Sequence, residues 1–379
     1  IDLQQMYEKT RESLKGVIIY EEIDDGLTDY AARTRHRIIS HMVWNFLPSS
    51  EKDTLLHSAL DNLNISYRLD KAAFDSFVYS DRMVDSLSSD DSKIRFFERA
   101  CRIDPDNPYV QQHFARMLVR IKKYTLALNT ISQAIELEPS SYILHHTKGY
   151  VLQKMAESSE SIDAGRRYMG QSEKEYQEAL NMNKTNPYCY QGLASLYLAW
   201  AKRELSEHEQ TIYLSKAEEI VDEGLKKCRD KESIWIESSN IDKYLGDMPN
   251  RIHALEQAVS DAPSSVLSRY LLSKAYNQSG DLQKAEELLK TIIFDAPEEY
   301  RSSLEYAKTM LLLWKPIKEA IAVLYQSTLY GYSDYHYVSF LAGLLFLDSQ
   351  FSESEKVFAE SAKRGLINAE RICFRPSEY

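Results

Sequence analysis

The sequence predicts an all-α solenoid of about eight helix hairpins, set behind a short segment of mixed helix and strand. Three observations carry that prediction. Amphipathic helix tails closed by a proline recur in NTISQAIELEPSS, ALEQAVSDAPSS and ELLKTIIFDAPEE, the prolines being Pro139, Pro263 and Pro297. Proline ends a helix because it lacks the amide proton that an interior position needs. Pro263 and Pro297 lie 34 residues apart, which leaves room for two helices and two turns. Small side chains (Ala115, Ala127, Ala194, Ala285, Ala342) stand where two antiparallel helices must approach closely, beside larger ones (Phe114, Leu118, Leu193, Tyr276) that fill the grooves between them.

The unit VLSRYLLSKAYNQSGDLQKAEELLKTIIFDAP resembles a tetratricopeptide repeat, with its small and aromatic positions in Ser273, Tyr276, Gly280, Ala285 and Leu289. Gly246-Asp247 and Gly280-Asp281 supply the tight turns between the two helices. The resemblance implies a right-handed superhelix whose inner face is built largely from the first helix of each hairpin. No single hairpin buries its apolar face alone, so neighbours must stack.

Residues 1–66 stand outside the repeat. LQQMYEKTRESLKG reads as a helix ended by Gly16, and GVIIYEEI and LTDYAARTRH flank Asp24-Asp25-Gly26 as a β-hairpin. RHRIISHMVWNFLP, with Ile38, Ile39, Met42, Val43 and Phe46 at helical spacing, is an amphipathic helix closed by Pro48. Helix, hairpin and helix in that order resemble the tail of a winged-helix module, a small α/β remnant ahead of the array.

The array is expected over residues 67–366. A helix from Lys71 to Leu87 pairs with SKIRFFERACRIDP, and hairpins follow over 108–141, 142–186, 187–231, 232–265, 266–299, 300–333 and 334–366. Two of them break the period. The equivalent small positions Ala134, Ala179, Gly224 and Ala258 are separated by 45, 45 and 34 residues, so the two units within 142–231 each carry 11 extra residues. Shared between the two helices of a hairpin, that lengthens each by roughly 8 Å. Ser206 with Glu209 reads as a capping box that restarts the second helix of one long unit, whereas ESSESIDAGRR in the other is either helix or plain loop. The short polar tail, 367–379, suits a cap or a frayed end.

Composition narrows the function classes. A formal net charge of -11 argues against a general polyanion binder, whose affinity comes from neutralising phosphates with Lys and Arg. Cys101, Cys189, Cys228 and Cys373 form no CxxC pair, which fits a reducing, cytoplasmic setting rather than a zinc knuckle or a disulfide framework. No apolar run approaches the length of a membrane span. Neither HExxH, GxSxG, a P-loop, GxGxxG nor any other catalytic or cofactor signature is present, so no catalytic site, metal or cofactor is expected within these residues.

What remains is a recognition surface for a protein or peptide. Its expected residues are first-helix positions: Tyr109, Gln112, Arg116, His146, Tyr150, Tyr188, Gln191, Tyr270, Lys274, Arg301 and Lys308, an aromatic-rich face with some positive charge inside a negative protein. Several of these tyrosines serve equally well as packing between repeats. The clamp by which co-chaperone arrays hold a C-terminal carboxylate needs an asparagine at the sixth position of the first helix. Here His113, Thr147, Gly192, Glu237, Leu271 and Glu305 stand there, so that use is excluded.

A hairpin strand running into Arg33, Arg35 and His36, then an apolar helix and then the array, resembles the junction between the NTPase core and the sensor in STAND ATPases, the prokaryotic antiviral ones above all. That resemblance implies a sensor region whose ATP site and effector lie elsewhere in the parent protein. Capture of a phage protein, such as the terminase large subunit or the portal, would trigger oligomerisation. It places Arg33, Arg35 and His36 where the core meets the array. A solvated helix start is the alternative reading of those three residues, and a free-standing adaptor or signalling-peptide receptor is the alternative reading of the whole.

Overall fold

The computed structural model describes residues 18–24, 28–34, 44, 47–203, 206–331 and 334–363. Strand β1 (Ile18–Asp24) pairs antiparallel with β2 (Thr28–Thr34), in a register that runs from Ile18 opposite Thr34 to Asp24 opposite Thr28. This is the hairpin expected around Asp24-Asp25-Gly26. The helix expected before it, most of the helix expected after it and the tail 367–379 lie outside the described residues, so a winged-helix module is not shown.

An irregular helical group leads into the repeats: α1 (Ser49–Asn62), α2 (Arg68–Val78), the short α3 (Asp81–Asp85) and α4 (Asp90–Ile103). Leu56 and Leu60 of α1 pack with Phe74, Val84, Phe96 and Phe97 into the same apolar cluster that continues through the first hairpins. Among the described residues seven hairpins follow: α5 (Pro108–Arg120) with α6 (Tyr124–Leu137), α7 (Tyr142–Ser158) with α8 (Ile162–Met182), α9 (Pro187–Ala201) with α10 (Glu207–Lys227), α11 (Glu232–Leu245) with α12 (Met248–Asp261), α13 (Val266–Ser279) with α14 (Leu282–Asp295), α15 (Tyr300–Leu312) with α16 (Ile317–Gly331), and α17 (Tyr335–Leu347) with α18 (Phe351–Lys363). Each second helix packs on its own partner and on the first helix of the next hairpin, the stacking that a lone amphipathic hairpin requires.

Local chemistry sets the helix ends. The Asn107 and Asn186 side chains accept the amides of Tyr109 and Tyr188, with Pro108 and Pro187 at the first turns of α5 and α9, where a missing N–H costs nothing. At the inner turns, Gly246 (φ 77°) and Gly280 (φ 90°) take the left-handed conformation expected of them. Asp247 N then donates to Asp242 O at 2.9 Å and Asp281 N to Tyr276 O at 2.9 Å, the pattern of a Schellman cap. Three further hairpins close the same way on residues that carry a side chain: Lys122, Trp314 and Ser349, with φ of 61°, 59° and 60°. The amide of the residue after each reaches back to Leu118, Met310 and Leu345 at 2.8, 2.9 and 2.8 Å.

The two long hairpins differ from the even sharing expected of them. α8 and α10 have 21 residues each, against 17 and 15 for α7 and α9, so the second helices take most of the extra length. ESSESIDAGRR is largely helix: α8 starts at Ile162, capped by the Ser161 hydroxyl, which accepts from Ala164 N at 3.3 Å. The expected capping box does not form. Ser206 occupies the N-cap of α10 without a side-chain cap bond, and Glu209 instead approaches Arg166 of α8 at 3.6 Å, tying the two extensions together.

Packing is close where these hairpins meet. Tyr176 of α8 lies fully buried between Gly149 of α7 and Gly192 of α9, and a Cβ at Gly192 would come within 2.6 Å of that ring and 2.8 Å of His146 Nε2. The Tyr176 hydroxyl donates to Gln153 Oε1 at 3.0 Å, and Ser172 Oγ donates to Gly149 O at 2.7 Å. Only glycine lets three helices approach so closely.

Candidate functional site

The residues expected to form the recognition face divide into two groups. Some are structural ties between repeats. Gln112 is buried and its Nε2 donates to Thr147 Oγ1 at 2.9 Å on the next first helix. Asn277 makes an equivalent tie to Thr309 at 2.8 Å. The Tyr109 hydroxyl donates to Glu138 at 3.3 Å and lies 3.4 Å from the Ser141 hydroxyl. His146 stacks edge-on against Tyr176, its Nε2 is buried without a hydrogen-bond partner, and burial, aided by Arg116, pushes its pKa down to about 4. Tyr150 and Tyr270 pack against the apolar clusters of the stack, with the ammonium of Lys154 over the first ring and that of Lys274 over the second.

The others are open to solvent. Tyr188 is 58% exposed at the start of α9. Arg116 keeps 43% of its side chain accessible and lies only loosely, at 3.9 Å, from Asp81. Arg301 and Lys308 are exposed on α15, Arg301 over the Tyr300 ring and Lys308 beside Glu305 at 3.6 Å. Of the junction residues, Arg33 lies in β2 with Ile19 as its cross-strand partner, while Arg35 and His36 fall outside the described residues.

An open concavity lies at the C-terminal ends of three consecutive first helices. α7, α9 and α11 enclose an open cavity of about 820 Å³ lined by Gln153, Lys154 and Glu157, by Ser195, Leu198, Ala199, Lys202 and Arg203, and by Glu237, Asn240, Lys243 and Tyr244. Three first helices contribute because their C-terminal turns come level there. α7 runs on to Ser158 and α9 to Ala201, beyond the ordinary hairpin length.

Fixed charge organises the cavity. Arg203 Nη1 donates to Ala156 O at 2.5 Å and Nη2 to Ser159 O at 2.6 Å, so the guanidinium closes the end of α7 from a residue 47 positions further on. Glu237 is 3% exposed, and burial raises its carboxyl pKa against hydrogen bonds from Asn240 and Gln191 and the charges of Lys202 and Lys154. Lys154 pairs with Glu157 at 2.6 Å. The Lys202 ammonium lies 5.6 Å from the centre of the Tyr244 ring, within cation–π range.

None of these lysines stood among the expected recognition residues. Lys154, Lys202 and Lys243 are separated by 48 and 41 residues, so no single period aligns them. The signal in the sequence was the clustering of cations at first-helix ends, which the irregular repeat lengths concealed. Among the described residues, no group of three or more His, Cys, Asp or Glu side chains could hold a metal, and no helix is long and apolar enough to cross a membrane.

A tetratricopeptide-repeat family model matches residues 252–306, from α12 to α15. A thermophilic tetratricopeptide protein from Thermus thermophilus has a similar solved structure, with 15% identity, coverage of 54% of this chain and 99% of that one, and a TM-score of 0.44. Pseudomonas aeruginosa pilF is similar over 63% of this chain and 98% of its own, at 12% identity and a TM-score of 0.40. A tetratricopeptide repeat protein from Parabacteroides merdae is similar over 73% and 97%, at 14% identity and 0.41. No curated protein matches in sequence. The family match covers one of the seven hairpins whole and two in part, and helix hairpins of the same kind run on either side of it.

Proposed function

We propose that the chain is the ligand-sensing region of a STAND-type NTPase acting in antiviral defence in the cytoplasm, and that its array captures a protein ligand. The observation that carries the protein-binding part is the set of exposed aromatic and cationic side chains on three of the first helices, Arg116 on α5, Tyr188 on α9, and Arg301 and Lys308 on α15, together with an open cavity of about 820 Å³ between α7, α9 and α11. The antiparallel hairpin that carries Arg33 ahead of the array in the sequence supports the sensor part. In this reading Arg33, Arg35 and His36 transmit the bound state to a nucleotide-binding core. The trigger is a phage protein such as the terminase large subunit or the portal.

A free-standing adaptor is the second reading. It is favoured by a cavity built wholly from the array's own helices. The reading frame upstream of Ile1 separates the two, since a P-loop there supports the sensor and a start codon close to Ile1 sinks it. Co-expression with terminase and portal proteins tests the trigger: specific co-purification that is lost in Arg116→Glu/Lys274→Glu, with helicity retained by circular dichroism, is the expected result. Failure to retain either phage protein counts against phage sensing.

A further inference from the structure

We propose that the cavity between α7, α9 and α11 is the seat of an acidic peptide segment of the protein partner, held by Lys202, Arg203 and Lys243. The proposal rests on the protein-binding reading and specifies the chemistry of the bound segment. Four of the twelve lining side chains are cationic and two acidic, in a chain whose net charge is -11. The excess of two positive charges survives the ion pair inside the cavity. Glu157 is spent on Lys154 and Gln153, at 2.6 and 3.0 Å. Glu237 lies beneath the surface, where burial opposes its ionisation.

Lys202 and Lys243 are both exposed and, among the described residues, neither forms an ion pair within 4 Å, although Lys202 acts at longer range on the buried Glu237. The Arg203 guanidinium bonds four neutral backbone carbonyls, those of Ala156, Glu157, Ser159 and Ser161, so its charge is held in place without being cancelled. A cluster of cations left unpaired in an otherwise acidic protein repels itself, and an arriving carboxylate-rich segment relieves that repulsion.

Two features favour a peptide over a nucleic acid. Ala199 and the half-exposed Tyr244 ring give the cavity an apolar patch between the lysines. That suits a segment carrying an aliphatic or aromatic side chain among its acids. A long polyanion would also meet the acidic remainder of the array, whereas a short segment presents its charge to the cavity alone.

The test uses the full chain and a fluorescein-labelled twelve-residue peptide of alternating glutamate and leucine-flanked aspartate, followed by fluorescence anisotropy. Saturable binding that weakens about tenfold or more in Lys202→Glu/Lys243→Glu, and falls as salt rises from about 0.05 to about 0.3 M, is expected. The control reversal Lys284→Glu/Lys356→Glu, on exposed lysines of α14 and α18, should leave binding unchanged. Thermal melts confirm that every variant folds. Absence of peptide binding overturns the proposal, as does equal loss in the control pair or equal affinity for a single-stranded oligothymidylate of the same charge. If a phage protein is retained by the array and the Lys202/Lys243 reversal leaves that retention intact, the cavity proposal fails while the protein-binding reading stands. If the peptide binds as expected but neither phage protein is retained, the trigger fails and the cavity proposal stands.

Discussion

His113 and His146 are first-helix residues held neutral by their surroundings. Burial, with Arg116 nearby, pushes both pKa values down to about 4, and His113 lies against the Tyr79 ring at 4.7 Å. Their unfolded forms take up a proton near pH 6.5 while the native forms do not, so stability is complete above that pH and drains away as pH falls from about 6.5 to about 4. The loss amounts to at most about 3 kcal/mol for His146, and to less for His113, which is partly screened by solvent. Urea melts at pH 7.5, 5.5 and 4.5 should show a progressive fall in midpoint, with a shallower slope in His113→Phe. Gly192 offers a second measurement. Gly192→Ala forces a methyl against the buried Tyr176 and His146 rings and should cost about 1–3 kcal/mol. Gly170→Ala, on the same pair of hairpins with nothing within 4 Å, should gain about 0.5–1 kcal/mol from helix propensity. The sequence marked Gly192 only as a sixth-position residue without the clamp's asparagine. That Gln112 and Tyr109 are ties rather than ligand contacts was not legible, because a polar first-helix residue bonds across the repeat or to a partner with the same side chain.

At the scale of elements, the helices and the two glycine turns were legible because apolar periodicity, Pro and Gly are written directly in the residues. The turns at Lys122, Trp314 and Ser349 were not, since nothing local distinguishes a lysine or a serine in the left-handed region from one in a helix. Packing of the flanking helices imposes that conformation at a cost of about 1 kcal/mol. Ser349→Gly should therefore stabilise the last hairpin by up to about 1 kcal/mol, read as a raised thermal midpoint with unchanged far-ultraviolet circular dichroism. The division of extra length between helices was equally hidden. A repeat offset of 45 says how many residues are added and nothing about which helix holds them, and the packing of α8 and α10 on their neighbours decides that.

Across the whole molecule, stacking was readable from a 34-residue offset, while the basic cavity was not. It arises only when three first helices of unequal length end level with one another. An array of this kind is mechanically a chain of springs, each hairpin coupled to its neighbours. Arg203 breaks that simplicity, because its guanidinium ties the last carbonyls of α7 to the end of α9. Under a pulling force, ordinary hairpins should yield one at a time, each releasing about 120 Å at roughly 3.6 Å per residue. Residues 142–231 should yield together, as a single extension of about 320 Å. In a single-molecule trace Arg203→Ala should split that step in two. An undivided step in the variant would assign the coupling to the Tyr176 contact instead. A side chain that in solution looks like a helix cap thus makes the middle of the spring its stiffest link.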